Sequence, residues 1–279
     1  MTGPRRTQIG DDLPDLSSPF VVSPTAISEV ATNGHTVLRH LATRHEVGAY
    51  RPAIEAAALK HAWDKRPLED RDTYGKAFLQ SMNLWRVDDR VRRFVFSRRF
   101  ARAAAELLGV EGVRLYHDQA LFKEPGGGRT PWHQDQYYWP LATDKTITMW
   151  MPLADVPAEV GSMTFASGSH RLGYLGSHAI SDESDATFSA MLEERDLPLE
   201  THGALHAGDA TFHCGWTLHG APPNPTDAMR PVMTIIYLAD GARVAEPNSD
   251  AQRLDLEVWL RGLHPGDIVD SPLNPRLFP

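Results

Sequence analysis

Three side chains of this sequence have the types and the spacing of a metal site that keeps open coordination positions. His133 and Asp135 are separated by one residue, and His219 follows much later in the chain. Two imidazoles and one carboxylate are the ligand set of non-haem Fe(II) oxygenases. On an extended chain residues i and i+2 point to the same face, so His133 and Asp135 can reach one metal. We therefore predict that His133, Asp135 and His219 bind Fe(II) and form the catalytic centre.

Arg230 follows His219 after a short segment and adds a rigid cationic fork to this set. A guanidinium can hold a carboxylate through two parallel hydrogen bonds, whereas the flexible ammonium of a lysine does so less specifically. We predict that Arg230 binds the far carboxylate of a dicarboxylic cosubstrate.

The segments around these four residues carry further motifs in a fixed order. They are Asn33-Gly34-His35-Thr36-Val37-Leu38-Arg39, Leu121-Phe122-Lys123-Glu124-Pro125, Trp132-His133-Gln134-Asp135-Gln136-Tyr137-Tyr138-Trp139-Pro140, Gly161-Ser162-Met163-Thr164-Phe165-Ala166-Ser167-Gly168-Ser169-His170 and His213-Cys214-Gly215-Trp216-Thr217-Leu218-His219-Gly220-Ala221-Pro222-Pro223-Asn224, ending at Arg230-Pro231. Over residues 30 to 240 the chain resembles the phytanoyl-CoA dioxygenase family of Fe(II)/2-oxoglutarate-dependent oxygenases.

The resemblance implies a fold, a set of cofactors and further site residues. The fold is a double-stranded β-helix, a cupin-like jelly roll with the metal at its mouth, and the cofactors are Fe(II), 2-oxoglutarate as cosubstrate and dioxygen. Gln119 and Trp150 correspond to strand positions that line the 2-oxoglutarate pocket, with a core-packing role for Trp150 as an equal alternative. Some relatives have a hydroxyl residue where this chain has Ala221, so Arg230 needs another helper. The carboxylate of Asp135 disfavours halogenation, because related halogenases have a small residue there.

Other side chains compete for the metal. His213, which precedes His219 in the same motif, is the strongest competitor. We prefer His219 because Arg230 follows it at the family's spacing between ligand and anchor. A lone histidine on an apolar strand is more often a hydrogen-bonded core residue than a ligand. The remaining candidates are His117, Asp118, His170 and His206.

The residues beside the first two ligands have open roles. Gln134 either orients a metal ligand or completes the hydrogen bonds of a strand, with equal weight. Tyr137, Tyr138 and Trp139 are expected near the mouth of the site, where aromatic walls suit a flat or hydrophobic organic substrate. At least one of the three is expected to pack in the core instead.

Composition limits the class of protein. The chain has 279 residues, of which 42% are hydrophobic, and this suits one large domain or two small ones. The formal net charge of −8 contains no long block of one sign, which argues against a nucleic-acid partner. A single cysteine, Cys214, excludes an internal disulfide framework, and we find neither a secretion signal nor an apolar run that could span a membrane. We expect a cytoplasmic protein with a small-molecule substrate and no membrane partner.

Hydrophobic periodicity divides the chain into a helical start and a β-rich remainder. Residues 1–24 are expected to form a flexible tail, and residues 25–279 one oxygenase domain of the α+β class. Its jelly-roll core is expected at about 113–240, with flanking helices mainly on the N-terminal side. Helices are predicted over 44–63, 88–108 and 251–263, and a polar insertion over 187–199. Strands are predicted over 36–39, 113–123, 146–151, 162–166, 203–205, 210–214 and 232–238.

The predicted function is the oxidation of an unactivated C–H bond in a small organic metabolite, in a setting such as natural-product biosynthesis. Hydroxylation is the default outcome, while epimerisation, desaturation or cyclisation use the same chemistry. The basic residues lie on the helix near 92–102 rather than at the predicted mouth, which favours a free metabolite over an acyl-CoA thioester. Two alternatives stay open: a cupin-type isomerase or hydrolase with another divalent metal, and a jelly-roll binding protein without turnover. Succinate release that depends on 2-oxoglutarate separates the binding protein from the leading hypothesis, and full activity with redox-inactive zinc would favour the isomerase or hydrolase.

Overall fold

The computed structural model describes residues 13–160, 162–176 and 178–279, which form helices and short antiparallel strands. The helices are α1 (Pro24–Asn33), α2 (Arg44–His61), α3 (Thr73–Ala77), α4 (Asp89–Val95), α5 (Arg98–Leu108), α6 (Asp182–Arg195) and α7 (Asp250–Val258). The strands are β1 (His35–Leu38), β2 (Leu79–Met82), β3 (Val113–Phe122), β4 (Thr130–His133), β5 (Thr146–Pro152), β6 (Thr164–Ala166), β7 (Leu199–Thr201), β8 (Ala210–Cys214), β9 (His219–Ala221), β10 (Val232–Ala239) and β11 (Arg276–Phe278).

Two antiparallel sheets form the centre of the molecule. The larger has the strand order β1-β8-β5-β10-β3-β11 with β2 also paired to β3, and the smaller has the order β4-β9-β6-β7. Strands that are distant in the sequence therefore lie side by side in both sheets, as they do in a jelly roll. The predicted α+β class with a double-stranded β-helix core is confirmed, and residues of both sheets line one cavity between them.

The larger sheet packs its outer face on helices and turns its inner face to the cavity. Along β10, Met233, Ile235 and Tyr237 belong to the main apolar core, which also contains buried residues of α2, α4 and α5. Thr234, between them, lines the cavity. This alternation follows from the two-residue period of a strand. Burial of each large apolar side chain contributes roughly 1.5–3 kcal/mol, so the outer face stabilises the sheet that carries the cavity wall.

A β-bulge interrupts the pairing of β3 with β10. Ile236 pairs with His117, but Tyr237 pairs with Leu115, so Tyr116 is an extra residue on β3. A bulge changes the direction of the side chains beside it. Tyr116 and His117 consequently lie on the same side of the sheet although they are adjacent in sequence: Tyr116 packs in an apolar cluster next to the cavity and His117 lines the cavity.

The helix predicted over 88–108 is two helices, α4 and α5, and this corrects the prediction. Ser97 lies between them, where its hydroxyl accepts the amide of Phe100 at 3.2 Å and donates to the carbonyl of Leu16 at 3.0 Å. An N-cap serine satisfies a free amide of the first turn and so begins a new helix. One of the basic residues of this region, Arg99, is buried and pairs with Glu46 at 2.8 Å.

Part of the expected tail packs on the core. Leu16 and Val22 are buried, and the hydroxyl of Tyr50 donates to the carbonyl of Pro14 at 2.6 Å. The order of residues 13–23 depends on partners far along the chain, which local composition does not indicate. Residues 1–12, the remainder of the tail prediction, and Gly161 of the motif before β6 lie outside the described residues.

Two further segments differ from the predictions. The polar insertion at 187–199 is mostly helix α6, which begins at a capping box formed by Ser181 and Ser184 and buries Phe188 and Leu192 one turn apart. The strand predicted over 203–205 does not form in this described segment, where Leu205 makes an isolated bridge to Val156. The strand nearest to it in the sequence is β7, which pairs with β6. Two buried residues on a polar helix give too weak a period to read from the sequence. Among the described residues, no helix has the length and apolar character needed to cross a membrane.

Candidate metal centre and active site

Strands β4 and β9 hold the two predicted histidine ligands opposite each other. His133 and His219 are direct partners in the antiparallel pairing, and their ring centroids are 4.1 Å apart. Asp135 begins a 3-10 turn instead of continuing β4 as predicted, but the extended backbone at Gln134 returns its carboxylate to the side of His133. One ligand atom of each of His133, Asp135 and His219 lies within 4.8 Å of the others. The structure therefore brings the three predicted residues together.

Both imidazoles are oriented by their own backbone. Nδ1 of His133 hydrogen-bonds to the carbonyl oxygen of Pro131 at 2.8 Å, and Nδ1 of His219 to that of Thr217 at 3.0 Å. A carbonyl can only accept, so each proton lies on Nδ1 and each Nε2 offers a lone pair. Burial, followed by the neighbouring imidazoles, holds the pKa of His219 well below its usual range. The environment of His219 therefore favours its neutral, metal-binding form.

Asp135 has one oxygen held by the protein and one directed at the imidazoles. Oδ1 lies 3.6 Å from Nε2 of His133 and 3.8 Å from Nε2 of His219. Oδ2 accepts from the hydroxyl of Thr148 at 2.9 Å and from Nε2 of His213 at 3.1 Å. Burial alone would raise the pKa of Asp135, but the adjacent imidazoles hold it well below its usual value. Two imidazole nitrogens and one ionised carboxylate oxygen on one side of a cavity fit Fe(II) with open positions.

The other residues that the sequence offers as metal ligands have other partners or lie elsewhere in the structure. His213 supports Asp135, and Asp118 accepts the backbone amides of Leu84 at 3.0 Å and Trp85 at 3.2 Å. His170 lies in the turn after β6, and His206 is exposed beside Arg44 and Asp155. His117 lines the cavity on β3.

Arg230 lies two residues before the start of β10 and lines the same cavity as the three predicted ligands. Its guanidinium carbon is 5.2 Å from the ring centroid of Trp150, a cation–π contact that fixes the direction of the fork. Burial lowers the pKa of Arg230 to about 10, so the side chain remains cationic at neutral pH. A guanidinium at a cavity wall can bind a carboxylate through two parallel N–H groups. Trp150 thus has a role both in packing and at the cavity.

Gln119 lies on the inner face of the larger sheet, in a row with Thr234 and Trp150 across β3, β10 and β5. The hydroxyl of Thr234 donates to the backbone oxygen of Gln119 at 3.1 Å, and the side-chain oxygen of Gln119 accepts from the amide of Gln80 at 2.7 Å. All three members of the row line the cavity. Gln119 therefore lies at the wall where the resemblance puts a cosubstrate contact.

A family model of phytanoyl-CoA dioxygenase matches residues 30–232, which contain His133, Asp135, His219 and Arg230. This chain belongs to the phytanoyl-CoA dioxygenase family. Two curated relatives are similar over a shorter stretch. The "Probable alpha-ketoglutarate-dependent hypophosphite dioxygenase" of Stutzerimonas stutzeri is 29% identical over 55% of this chain and 54% of its own length. The "Methylphosphonate hydroxylase" of Gimesia maris is 26% identical over 62% of this chain and 64% of its own length. The matched part thus spans little more than half of these curated relatives.

Solved structures of α-ketoglutarate-dependent enzymes share the jelly roll of this phytanoyl-CoA dioxygenase family member. The carbocyclase SnoK from nogalamycin biosynthesis superimposes with a TM-score of 0.75 over 93% of this chain and 99% of its own, at 24% identity. The epimerase SnoN in complex with Fe3+, alpha ketoglutarate and nogalamycin RO gives a TM-score of 0.73 over 91% of this chain and 97% of its own, at 25% identity. The likeness extends over nearly the whole fold.

Thr130 is a cavity residue of this family member that the sequence alone does not identify. It pairs directly with Ala221 across β4 and β9, and so places a hydroxyl opposite the position where some relatives carry one. The buried ammonium of Lys123 donates to this hydroxyl at 3.3 Å. Burial, followed by the charge of Arg230, lowers the pKa of Lys123 to about 7. The only signal that could have found Thr130 is the register of two strands, which becomes known once they are paired.

The cavity of this phytanoyl-CoA dioxygenase family member has a volume of about 570 Å³. Tyr138 and Trp139 line it as predicted, whereas Tyr137 is buried outside the wall. Gln134 lies apart from the cavity and takes neither expected role, since its amide donates to the carbonyls of Gly173 at 2.8 Å and Trp216 at 2.7 Å and so joins two loops. The aromatic residues of the wall are Trp63, Tyr74, Phe78, Tyr138, Trp139, Trp150 and Trp259.

Proposed function

We propose that this chain is a non-haem Fe(II)/2-oxoglutarate-dependent oxygenase that oxidises a C–H bond of a small organic metabolite. The observation that carries the proposal is the convergence of His133, Asp135 and His219 in the cavity that also contains the buried cation of Arg230. Family membership supports it, and so do the curated relatives, whose names describe an alpha-ketoglutarate-dependent dioxygenase and a hydroxylase.

His133 and His219 would hold Fe(II) through Nε2, and Asp135 through Oδ1. Iron bound there with 2-oxoglutarate and dioxygen supplies the oxidising power that an unactivated C–H bond requires. Thr148 and His213 fix the carboxylate of Asp135, so the ligand set is arranged before the metal enters.

Arg230 would bind the far carboxylate of 2-oxoglutarate through two N–H groups. We assign the hydroxyl of Thr130 as the helper that Ala221 does not provide, with Lys123 behind it. Gln119 and Trp150 form the adjoining wall, where Trp150 orients the guanidinium and excludes water from it. An ion pair in a dry site is stronger than in water.

The remainder of the cavity would position the substrate. SnoK and SnoN carry out carbocyclisation and epimerisation in nogalamycin biosynthesis, and by this likeness we assign the chain to natural-product biosynthesis, with hydroxylation as the default outcome. We further propose that residues 25–279 act as one oxygenase domain and that the protein is cytoplasmic.

Anaerobic reconstitution with Fe(II) and 2-oxoglutarate tests the proposal. We expect the weak metal-to-ligand charge-transfer band of the ternary complex, loss of this band in His219→Ala, and a higher 2-oxoglutarate requirement in Arg230→Ala. His206→Ala is the matched control, since His206 is exposed and outside the cavity. A normal band and normal succinate formation in His219→Ala would overturn the proposal. Full activity with zinc and without 2-oxoglutarate would support the isomerase or hydrolase alternative.

A further inference from the structure

Helix α7 and the residue after it form one wall of the cavity. Leu254, Asp255, Val258 and Trp259 line the cavity from this element. They lie beyond residues 30–232, the part of the chain that the family model matches. This wall therefore lies outside the part of the chain by which the family is recognised.

Asp255 is fixed in this wall by the bulge of β3. The hydroxyl of Tyr116, the extra residue of the bulge, donates to Oδ2 of Asp255 at 2.8 Å. A carboxylate has about four acceptor sites, so this bond leaves capacity for a donor in the cavity. Burial raises the pKa of Asp255 to about 7, and a donor from a ligand would stabilise the charged form.

The charges of the cavity favour a ligand that donates hydrogen bonds. Among the described residues that line it, Arg230 is the only lysine or arginine, and the proposed function assigns it to 2-oxoglutarate. Burial lowers the pKa of His117 to about 3, so this imidazole is neutral. Asp72 and Asp255 are carboxylates outside the metal centre. An anionic substrate near Asp255 would have no lysine or arginine of the cavity wall left as a partner. Burial of an unpaired charge is costly in free energy.

The shape of the wall favours a flat molecule. Trp63 and Trp259 are stacked with ring centroids 6.2 Å apart and an interplanar angle of 23°. Trp63 is 62% exposed, which places this pair at the opening of the cavity. Aromatic side chains bind flat rings through stacking and contact area. A volume of about 570 Å³ is in the range that accepts a drug-sized molecule.

We propose that Asp255 recognises the substrate, and that the substrate is an aromatic or polycyclic molecule that presents a hydrogen-bond donor, a hydroxyl or a protonated amine, to this carboxylate. The proposal rests on the proposed function of the same cavity. It separates this chain from its curated relatives, whose names specify hypophosphite and methylphosphonate, which are small phosphorus oxyanions.

Four probes that differ mainly in their polar group test the proposal. They are 2-naphthol, 2-(aminomethyl)naphthalene, 2-naphthoate and methylphosphonate, and their binding to the Fe(II)- and 2-oxoglutarate-loaded protein is measured anaerobically by calorimetry. At about pH 8, above the pKa of Asp255, we expect at least one donor probe to bind about tenfold or more tighter than 2-naphthoate. A preference shared by both donor probes assigns a hydroxyl-type contact, and a preference confined to the amine assigns an ammonium contact.

Asp255→Asn keeps the size of the side chain and removes its charge. We expect the preference for the donor probe over 2-naphthoate to decrease about tenfold in this variant. Asp250→Asn is the matched control: Asp250 is an exposed carboxylate of the same helix that pairs with Arg253 outside the cavity, and its replacement should leave the preference unchanged. Tyr116→Phe removes the hydroxyl that donates to Asp255, so we expect it to weaken the same preference. It serves as the test variant if Asp255→Asn does not fold.

Three results would overturn the proposal: equal or tighter binding of 2-naphthoate or methylphosphonate, no binding of any naphthalene probe, or an unchanged preference in Asp255→Asn. The absorption band of the Fe(II)–2-oxoglutarate complex reports the proposed function separately. Wild-type protein without this band would count against the oxygenase assignment, whereas a band with the wrong probe preference would count against the role of Asp255 alone.

Discussion

Nε2 of His213 donates a hydrogen bond of 3.1 Å to Oδ2 of Asp135, so the histidine that competes for the metal in the sequence supports one of the predicted ligands in the structure. The hydroxyl of Thr148 also donates to Oδ2 of Asp135, at 2.9 Å. The two donors leave Oδ1 directed at His133 and His219. We therefore expect the affinity of the proposed iron site to depend on His213 and Thr148 as well as on the three predicted ligands.

Thr148→Val removes one of these donors without changing the shape of the side chain. We expect Fe(II) to bind roughly ten- to a hundredfold more weakly, because Asp135 loses part of its orientation. Titration with Fe(II), followed through the charge-transfer band, measures the change. Thr211→Val is the control: Thr211 is buried on the adjacent strand β8, and its hydroxyl has no hydrogen-bond partner among the described residues. Equal affinities of Thr148→Val and wild type would contradict the support role.

Thr130→Val tests the proposed helper of Arg230. The hydroxyl lies across from Ala221 in the cavity and accepts from Lys123. We expect the KM for 2-oxoglutarate to rise about tenfold, equivalent to about 1.4 kcal/mol, with a smaller change in kcat. Thr130→Ser retains the hydroxyl and should retain most of the affinity. A KM in Thr130→Val equal to that of Thr130→Ser would argue that the hydroxyl has no part in binding.

Gly220→Ala tests how closely β4 and β9 must approach. A Cβ at Gly220 would lie 2.9 Å from the backbone oxygen of Thr130, which cannot rotate away. The strands would have to separate beside His219, so we expect the free energy of unfolding to fall by about 1–3 kcal/mol and iron binding to weaken. Gly48→Ala, in helix α2 with no atom within 4 Å of its new Cβ, should instead raise the free energy of unfolding by about 0.5–1 kcal/mol. Urea denaturation measures both, and unchanged stability of Gly220→Ala would be the contrary result.

We expect the buried imidazole of His35 to make the folded protein less stable in acid. It is buried, hydrogen-bonds to Ser167 at 2.8 Å and to His202 at 3.1 Å, and stacks on Phe165. Burial, followed by the neighbouring imidazoles, lowers its pKa from 6.5 to about 3. Between these values only the unfolded chain binds the proton, so the contribution of His35 is complete above pH 6.5 and is lost as the pH falls toward 3.

The measurement for His35 is the free energy of unfolding at a series of pH values in this window. Relative to His35→Gln, the wild type should lose up to about 1.4 kcal/mol for each pH unit. His206→Gln, at an exposed position, should follow the wild-type slope. Parallel slopes of wild type and His35→Gln would show that the buried imidazole does not control this acid sensitivity.

The proximity of His133 and Asp135 could be predicted from the sequence because its information is local, whereas His219 was chosen by the family's spacing to Arg230. His133 and Asp135 are two positions apart, and this spacing places both side chains on one side even though Asp135 begins a turn instead of continuing the strand. The roles of Thr130 and His213 could not be predicted in the same way. They depend on the register of β4 with β9 and on the packing of β8 against the turn at Asp135, which arise when distant parts of the chain meet.

The helices and strands also divide into those predicted from local pattern and those that depend on contacts between distant parts of the chain. Strong strand periods, as in β3 and β10, were found with nearly their observed bounds. Helix α6 was not found, because only Phe188 and Leu192 mark its buried side in a polar segment. The split between α4 and α5 at Ser97 depends on a hydrogen bond to the carbonyl of Leu16, a residue of the N-terminal segment. Local pattern thus predicts the elements that carry their own period, and tertiary partners decide the others.

Helix α7 and Trp259 lie outside the segment by which membership of the family is recognised, yet they line the same cavity as the predicted iron ligands. If Asp255 recognises the substrate as proposed, the residue that selects the compound is one that the family match does not include. A match to the family then identifies the chemistry at the iron and leaves the accepted compound open.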